Sequence, residues 1–247
     1  MTASPPPSPT EPPRPGLTPE SIGAIVIYRD DDLIVINKPN RLPLYRGPGG
    51  GEVLADSISG LRFDRPDDPA PAHRLDAATS GLLILGRHKW ARRRISDLFV
   101  SGRVRKTYWA ITQGEPASDA GVMQAPLLDV GWPGRPRIRA HSTGKAATTR
   151  FTVRQRHAGQ SWLELTPLTG RTHQLRVHCQ ILGCPIVGDP LYGDGDRFGP
   201  PMHLHARALT LYDGASQLNF VAPPPAHFAP WLTRAHQSNP TLETSHG

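Results

Sequence analysis

The chain is poor in cysteine, lysine and aromatic residues, and no long apolar run occurs in it. Of 247 residues only Cys179 and Cys184 are cysteines, too few and too close together to staple a secreted fold. Reduced thiols and a cytoplasmic location are therefore expected. A zinc site needs about four ligands at tight spacing; Cys179, Cys184 and the neighbouring His178 fall short, and no metal is expected. No apolar stretch approaches the ~20 residues that span a bilayer. The opening MTASPPPSPTEPPRPG lacks the apolar core of a secretory signal. What is abundant is arginine: 24 against 4 lysines, and 28 basic against 21 acidic residues, for a net charge of +7. Such an excess suits a polyanionic partner, although GC-rich coding also favours arginine over lysine.

This length suits one catalytic domain with little added. Residues 1–19, rich in proline, serine and threonine, bury too little apolar area to offset ordering entropy and read as a disordered tail. A single bilobed domain is expected over 20–235, followed by a flexible C-terminal tail over 236–247. The segment AIVIYRDDDLIVINKP holds two apolar runs around a polar turn, two strands, the second ended by Pro39. Ala91, Ile95, Leu98 and Phe99 recur at helical spacing in an arginine-rich helix from residue 89 to about 101, stopped by Gly102. VRKTYWAIT, TRFTVRQ, WLELTPL and ALTLYD alternate as strands. In RTHQLRVHCQILG, Leu175, Cys179 and Leu182 share a helical face, with Thr172 placed to cap the start and Gly183 the end. A short proline-rich C-terminal segment completes the chain. Strands outnumber helices and follow one another like hairpins. The fold class is therefore α+β, a mostly antiparallel mixed sheet with flanking helices and loops.

Three motifs carry chemistry. HRLDAATSGLLILGR (73–87) sets Asp76 in a turn-like stretch just before the apolar Leu82–Leu85. Such an acid could cap its own turn and be neutralised by Arg74. It could also be a nucleophile or general base held rigid by the core packing of the strand behind it. GRTHQLRVH (170–178) places Arg176 between Leu175 and Val177, which suggests partial burial and hence a carboxylate partner, for which Asp76 is the choice. KTYWA (106–110) offers Tyr108, either a core aromatic or a stacking platform with a hydroxyl.

In this order, IVINKP, HRLDAATSGLLILGR, KTYWA, GKAATTRF, GRTHQLRVH, GDPLYG and LHA resemble the RluA-type family of pseudouridine synthases over residues 24 to 222. These enzymes isomerise uridine to pseudouridine in structured RNA. The resemblance implies a pseudouridine-synthase fold, an aspartate nucleophile (Asp76) and no cofactor. Arg176 would pair with Asp76, and Tyr108 would stack on the uracil and help remove the carbon-5 proton. Arg74 would fill the gap left by a flipped nucleotide. His73, Thr79 and the apolar Leu175 would meet the substrate, and Arg92, Arg93, Arg94, Lys106 and Arg171 would hold RNA phosphates. Structured RNA, a tRNA or rRNA stem-loop, is the expected partner, with no membrane and a monomeric enzyme. The family usually has a glycine two residues after the proline of the KP motif; here Asn40 and Arg41 follow Pro39. Many relatives carry an N-terminal S4-type RNA-binding domain, which the short tail has no room for. Target choice would then fall to loops 45–72 and 114–145, or to a partner.

Two other classes compete. A non-catalytic RNA-binding protein could keep this fold, but need not keep Asp76, Tyr108 and Arg176 together. A metal-dependent hydrolase could use His73, His173, His178, His203 and His205, yet these lack carboxylates at ligand spacing.

Overall fold

A computed structural model describes residues 16–47, 50–132, 136–196 and 199–238. Most of the stretch read as a tail, residues 1–15, lies outside them. Its last residues are fastened: Leu17 N–H donates to Glu52 at 2.6 Å and packs on the core.

Each element follows from local chemistry. Asp30 Oδ1 accepts the N–H groups of Asp32 and Leu33, both at 2.8 Å, closing an Asx-type turn. That turn joins β1 (Val26–Arg29) to β2 (Leu33–Lys38) as an antiparallel pair. A short helix α1 (Leu54–Ser57) and the two-residue β3 (Ala70–Pro71) lead to β4 (Ser80–Gly86), in which every residue is buried. Its neighbour α2 (Lys89–Val100) packs Ile95 and Leu98 into the same core. The helix ends as expected at Gly102, at φ +72°, with Arg103 N–H returning to Leu98 O and Gly102 N–H to Phe99 O, a Schellman closure that needs a left-handed residue.

The second half of the sheet is β5 (Val104–Gln113), β6 (Ala120–Gln124), β9 (Thr148–His157) and β10 (Gln160–Pro167), with a separate pair β7 (Leu127–Asp129) and β8 (Ile138–Ala140). Helix α3 (Gln174–Ile181) packs Leu175 and Cys179 on this half. Then β11 (Leu204–Asp213) enters the middle, pairing in parallel with β4 and antiparallel with β5, and β12 (Ser216–Val221) pairs with β11. Among the described residues the main sheet has ten strands, its principal path running β1-β2-β4-β11-β5-β10-β9-β6. It is the expected mixed, mostly antiparallel α+β architecture.

Two local expectations fail. Thr172 does not cap α3: the cap position is His173, itself left-handed at φ +51°, with no side-chain cap bond. Gln174 Oε1 accepts the Arg171 N–H at 3.0 Å instead. Gly183 closes the other end, at φ +75°. The proline-rich C-terminus also forms a helix, α4 (Ala229–Ser238), because Pro230 falls in the first turn, where its missing N–H has no helical acceptor to lose. This helix enters the stretch read as a C-terminal tail, of which residues 239–247 lie outside the described residues.

Candidate active site

Where the two halves of the sheet meet, a cleft of about 840 Å³ opens between the turn after β3, the end of α2, β5 and the start of α3. Asp76, Tyr108, Arg176, Leu175 and Thr79 all line it, together with Arg74, Lys106 and Arg171. Three sequence motifs far apart in the chain thus converge on one cavity.

Asp76 sits in a turn closed by its own carbonyl, which accepts the Thr79 N–H at 3.0 Å. Directly after it, Gly81 lies at φ +107° with the backbone of Ala206 where a Cβ would stand, so only glycine lets β4 approach β11 here. Leu82, Leu83, Ile84 and Leu85 are fully buried, each contributing about 1.5–3 kcal/mol, and they anchor the turn at one end. From below it is held by Lys38, whose side chain is completely buried. Its ammonium donates to Pro39 O at 2.8 Å, Leu42 O at 3.0 Å and Ala77 O at 3.1 Å. Burial pulls the Lys38 pKa down to about 7, against the pull of Asp76. Asn40 donates to Ala78 O and to Met202 O, the latter at 3.1 Å. Arg41, where family members usually have glycine, adopts φ +61°. The loop therefore keeps a left-handed backbone that glycine would favour, with arginine in its place.

The expected Asp76–Arg176 pair is only half correct. Arg176 is buried, but its Nε and Nη2 make a bidentate pair with Asp189, at 2.7 and 2.6 Å. Asp76 Oδ2 is 3.9 Å from Arg176 Nη1 and 3.8 Å from His173 Nε2. Asp189 is completely buried and also accepts the N–H groups of Leu191 and Tyr192. A buried guanidinium takes the partner that can meet its planar fork edge-on, and Asp189 does so. The Tyr192 ring stacks under the guanidinium at 5.0 Å. Its hydroxyl lies 2.8 Å from His173 Nδ1. The left-handed backbone of His173 costs of order 1–3 kcal/mol for a residue other than glycine.

Burial and the charge of Asp76 push the Tyr108 pKa above its ordinary value, so the phenol keeps its proton. Lys106 is half-buried inside the cleft, its ammonium 3.4 Å from Thr169 O, and burial lowers its pKa. Arg74 is exposed at the cleft, and Arg171 donates to Ala146 O at 3.1 Å. His73 also lines the cleft, and its ring is tied to the scaffold: its Nε2 accepts the Ile84 N–H at 3.0 Å and it stacks on Phe99 at 4.2 Å. The three helix arginines separate. All three are exposed, but Arg92 has no ion pair among the described residues, Arg93 stands 3.9 Å from Asp97, and Arg94 is tied to both Asp213 and Asp32 and lies over Trp90. Of the other histidines, His178 bonds Thr149 at 2.9 Å and His205 bonds Ser80 at 2.9 Å. Among the described residues no three His, Cys, Asp or Glu side chains are grouped to hold a metal ion, and no helix is long and apolar enough to cross a membrane.

Sequence reasoning missed Lys38, His173, Asp189 and Tyr192 as parts of this site. Each lies inside a quoted motif, INKP, GRTHQLRVH or GDPLYG, so the motifs marked the neighbourhood without marking the contacts.

The RNA pseudouridylate synthase family profile matches residues 32–181, a span that includes Asp76, Tyr108 and Arg176. The chain belongs to the RluA-type family of RNA pseudouridine synthases. The synthase is 35% identical to the dual-specificity RNA pseudouridine synthase RluA of Escherichia coli K12 over 219 residues, 83% of this chain and 95% of that one. It is 29% identical to the mitochondrial pseudouridylate synthase RPUSD4 of Bos taurus, over 94% of this chain and 74% of that one. The solved structure of human RNA pseudouridylate synthase domain containing 4 superposes with a TM-score of 0.74 at 30% identity, covering 88% of this chain and 95% of that chain. The synthase is thus an isomerase that acts on RNA.

Proposed function

We propose that the synthase converts an unstacked uridine in a tRNA or rRNA stem-loop to pseudouridine, with Asp76 as its nucleophile and without a cofactor. The observation that carries this reading is the state of the Asp76 carboxylate. It faces the cleft, has Arg176 and His173 beside one oxygen, and makes no side-chain hydrogen bond among the described residues.

A flipped uridine would place its ribose at Asp76 and its base against Tyr108 and Leu175. Extrusion costs a few kcal/mol, less for a loop base that is already unstacked. Asp76 attacks the ribose, or removes a ribose proton, as the bond between carbon 1′ and uracil N1 breaks and positive charge develops on the sugar. The base turns between Tyr108 and Leu175, and a new bond forms from carbon 5 to carbon 1′ as Asp76 leaves carbon 1′ or returns the ribose proton; the carbon-5 proton passes to solvent and uracil N1 takes up one proton in its place. No atom is gained or lost overall. Because the Tyr108 phenol holds its proton, its part is to stack on the uracil and donate a hydrogen bond. Arg74 occupies the space the nucleotide vacates, Lys106 and Arg171 meet phosphates at the cleft, and Arg92 and Arg93 extend that charge along α2. Segments within 45–72 and 114–145, or a partner, select the target. The buried free thiols of Cys179 and Cys184 suit a reducing cytoplasm.

The test is tritium release from total RNA labelled with 5-tritiated uridine in cells lacking the gene. Asp76→Asn is expected to lose turnover by about three orders of magnitude or more, while retaining RNA on filters and melting near the wild-type temperature. Asp68→Asn, whose side chain pairs with Arg62 at 2.6 Å outside the cleft, should keep its turnover. Substantial turnover in Asp76→Asn would sink the assignment. Mapping carbodiimide adducts in RNA from the same cells would name the uridine.

A further inference from the structure

We propose that His173 is a positioning residue for the Asp76 carboxylate: a neutral imidazole fixed in its Nε2–H tautomer, whose N–H steers Oδ2 and leaves Oδ1 to the ribose. The inference rests on the reading of Asp76 as nucleophile.

A chain of directed hydrogen bonds sets the tautomer. The Ile138 N–H donates to the Tyr192 hydroxyl oxygen at 2.9 Å. With one acceptor position of the oxygen taken, the hydroxyl proton has His173 Nδ1, 2.8 Å away, within reach, and in the arrangement proposed Nδ1 accepts it. In a neutral imidazole the proton then resides on Nε2, and Nε2 is the nitrogen that faces Asp76 Oδ2 at 3.8 Å. Catalytic hydrogen bonds are often long before substrate binds; this one shortens as the ribose settles against the turn. Tyr192 is itself held by its N–H bond to Asp189 and by the Arg176 guanidinium over its ring.

Charged groups reach the imidazole from three sides. Asp76 and Arg74 come from the Asp76 turn, Arg176 from α3, and Asp189 from the turn that also carries Tyr192. Burial lowers the His173 pKa, Asp76 opposes that, and Arg176 reinforces it, which agrees with a neutral ring.

Two substitutions separate the ring's two nitrogens. Glutamine can place an N–H where Nε2 stands. Asparagine tolerates the left-handed backbone and can still accept from Tyr192, but it falls short of Asp76. Single-turnover tritium release, with enzyme in excess over the labelled total RNA, gives both the limiting rate and the enzyme concentration at half-saturation. His173→Asn is expected to lower the limiting rate at least about tenfold with half-saturation unchanged, and His173→Gln to restore it to within about threefold of wild type. Histidine ¹⁵N spectra of the wild-type protein at neutral pH should show His173 as the neutral Nε2–H tautomer. An imidazolium or an Nδ1–H signal overturns the proposal, as do equal rates in the two variants. Persistent turnover in Asp76→Asn would instead remove the nucleophile reading and leave the tautomer result standing.

Discussion

Asp189 and Asp76 face the same guanidinium, and the protein treats the two carboxylates in opposite ways. Asp189 is completely buried, holds Arg176 with two short bonds and takes two backbone N–H groups as well. Asp76 keeps 18% of its side chain exposed, and its nearest partners, the His173 imidazole and the Arg176 guanidinium, stand at 3.8 and 3.9 Å. A carboxylate bound this fully is structural: Oδ1 takes three donors, Oδ2 takes the Arg176 Nε–H, and complete burial keeps both from a substrate. The other, Asp76, costs stability, since its desolvation is not offset by bonds, and that cost fits a group reserved for substrate. Arg176 thus does two jobs with one head group: it closes the scaffold with one edge and lends charge to the cleft with the other.

The comparison breaks most visibly on the Asp189 side. Asp189→Asn leaves Arg176 buried without its counter-charge and is expected to destabilise the fold by about 3–5 kcal/mol, read from urea midpoints. It should also slow tritium release, because the freed guanidinium can close on Asp76 and engage the lone pairs the reaction needs. A variant as stable as wild type would show that Asp189 is dispensable and that the contrast between the two acids is only geometric.

A smaller effect is expected beneath the Asp76 turn. Lys38→Met keeps the side-chain length but leaves three carbonyls without their donor, a loss of about 2 kcal/mol. Its pH signature is distinctive. In the folded chain the Lys38 pKa is lowered to about 7 from lysine's ordinary 10.5, so the unfolded chain binds the extra proton between those values. Stability contributed by this group therefore rises with pH across that window and is flat below it. Urea midpoints of the wild type between pH 7 and 10 should show this rise, and those of Lys38→Met should lack it.

The legible part of the molecule is the part whose signals are local. The alternation of Phe151 with Val153, and of Leu163 with Leu165, marks β9 and β10. The stop at Gly102 marks the end of α2, and the acid ahead of Leu82–Leu85 marks the turn before β4. What stayed hidden depends on partners chosen in three dimensions. Nothing near Arg176 in the sequence says that Asp189, thirteen residues on, will take its fork while Asp76, one hundred residues back, stands off. His73 reads as a polar residue of a functional motif, and only the backbone of Ile84 reveals its structural bond. Arg94 looks like its neighbours Arg92 and Arg93 until Asp213, from the far end of β11, claims it.

That last distinction carries the smallest predicted effect. If Arg92 and Arg93 meet phosphates, Arg92→Ala and Arg93→Ala should each lower the slope of log affinity against log salt by about 0.7 on single-stranded segments, measured by filter retention. Arg94→Ala should leave the slope unchanged, because two carboxylates, Asp213 and Asp32, hold its charge, whereas Arg93 has only the loose, exposed contact with Asp97 at 3.9 Å. Equal losses at all three positions would make α2 a uniform basic surface.

Strand β11 has a consequence in time as well as in space. It lies between β4 and β5, and along the sheet path the N-terminal strands touch the rest only through it. During synthesis both halves therefore wait with a bare inner edge until residues 204–213 emerge. A nascent chain that has just reached Gly195 already contains Asp76, Tyr108, Arg176 and Asp189, yet lacks the strand that sets them across one cleft. The synthase thus becomes competent late in its own translation, when one central strand closes the gap between two half-sheets.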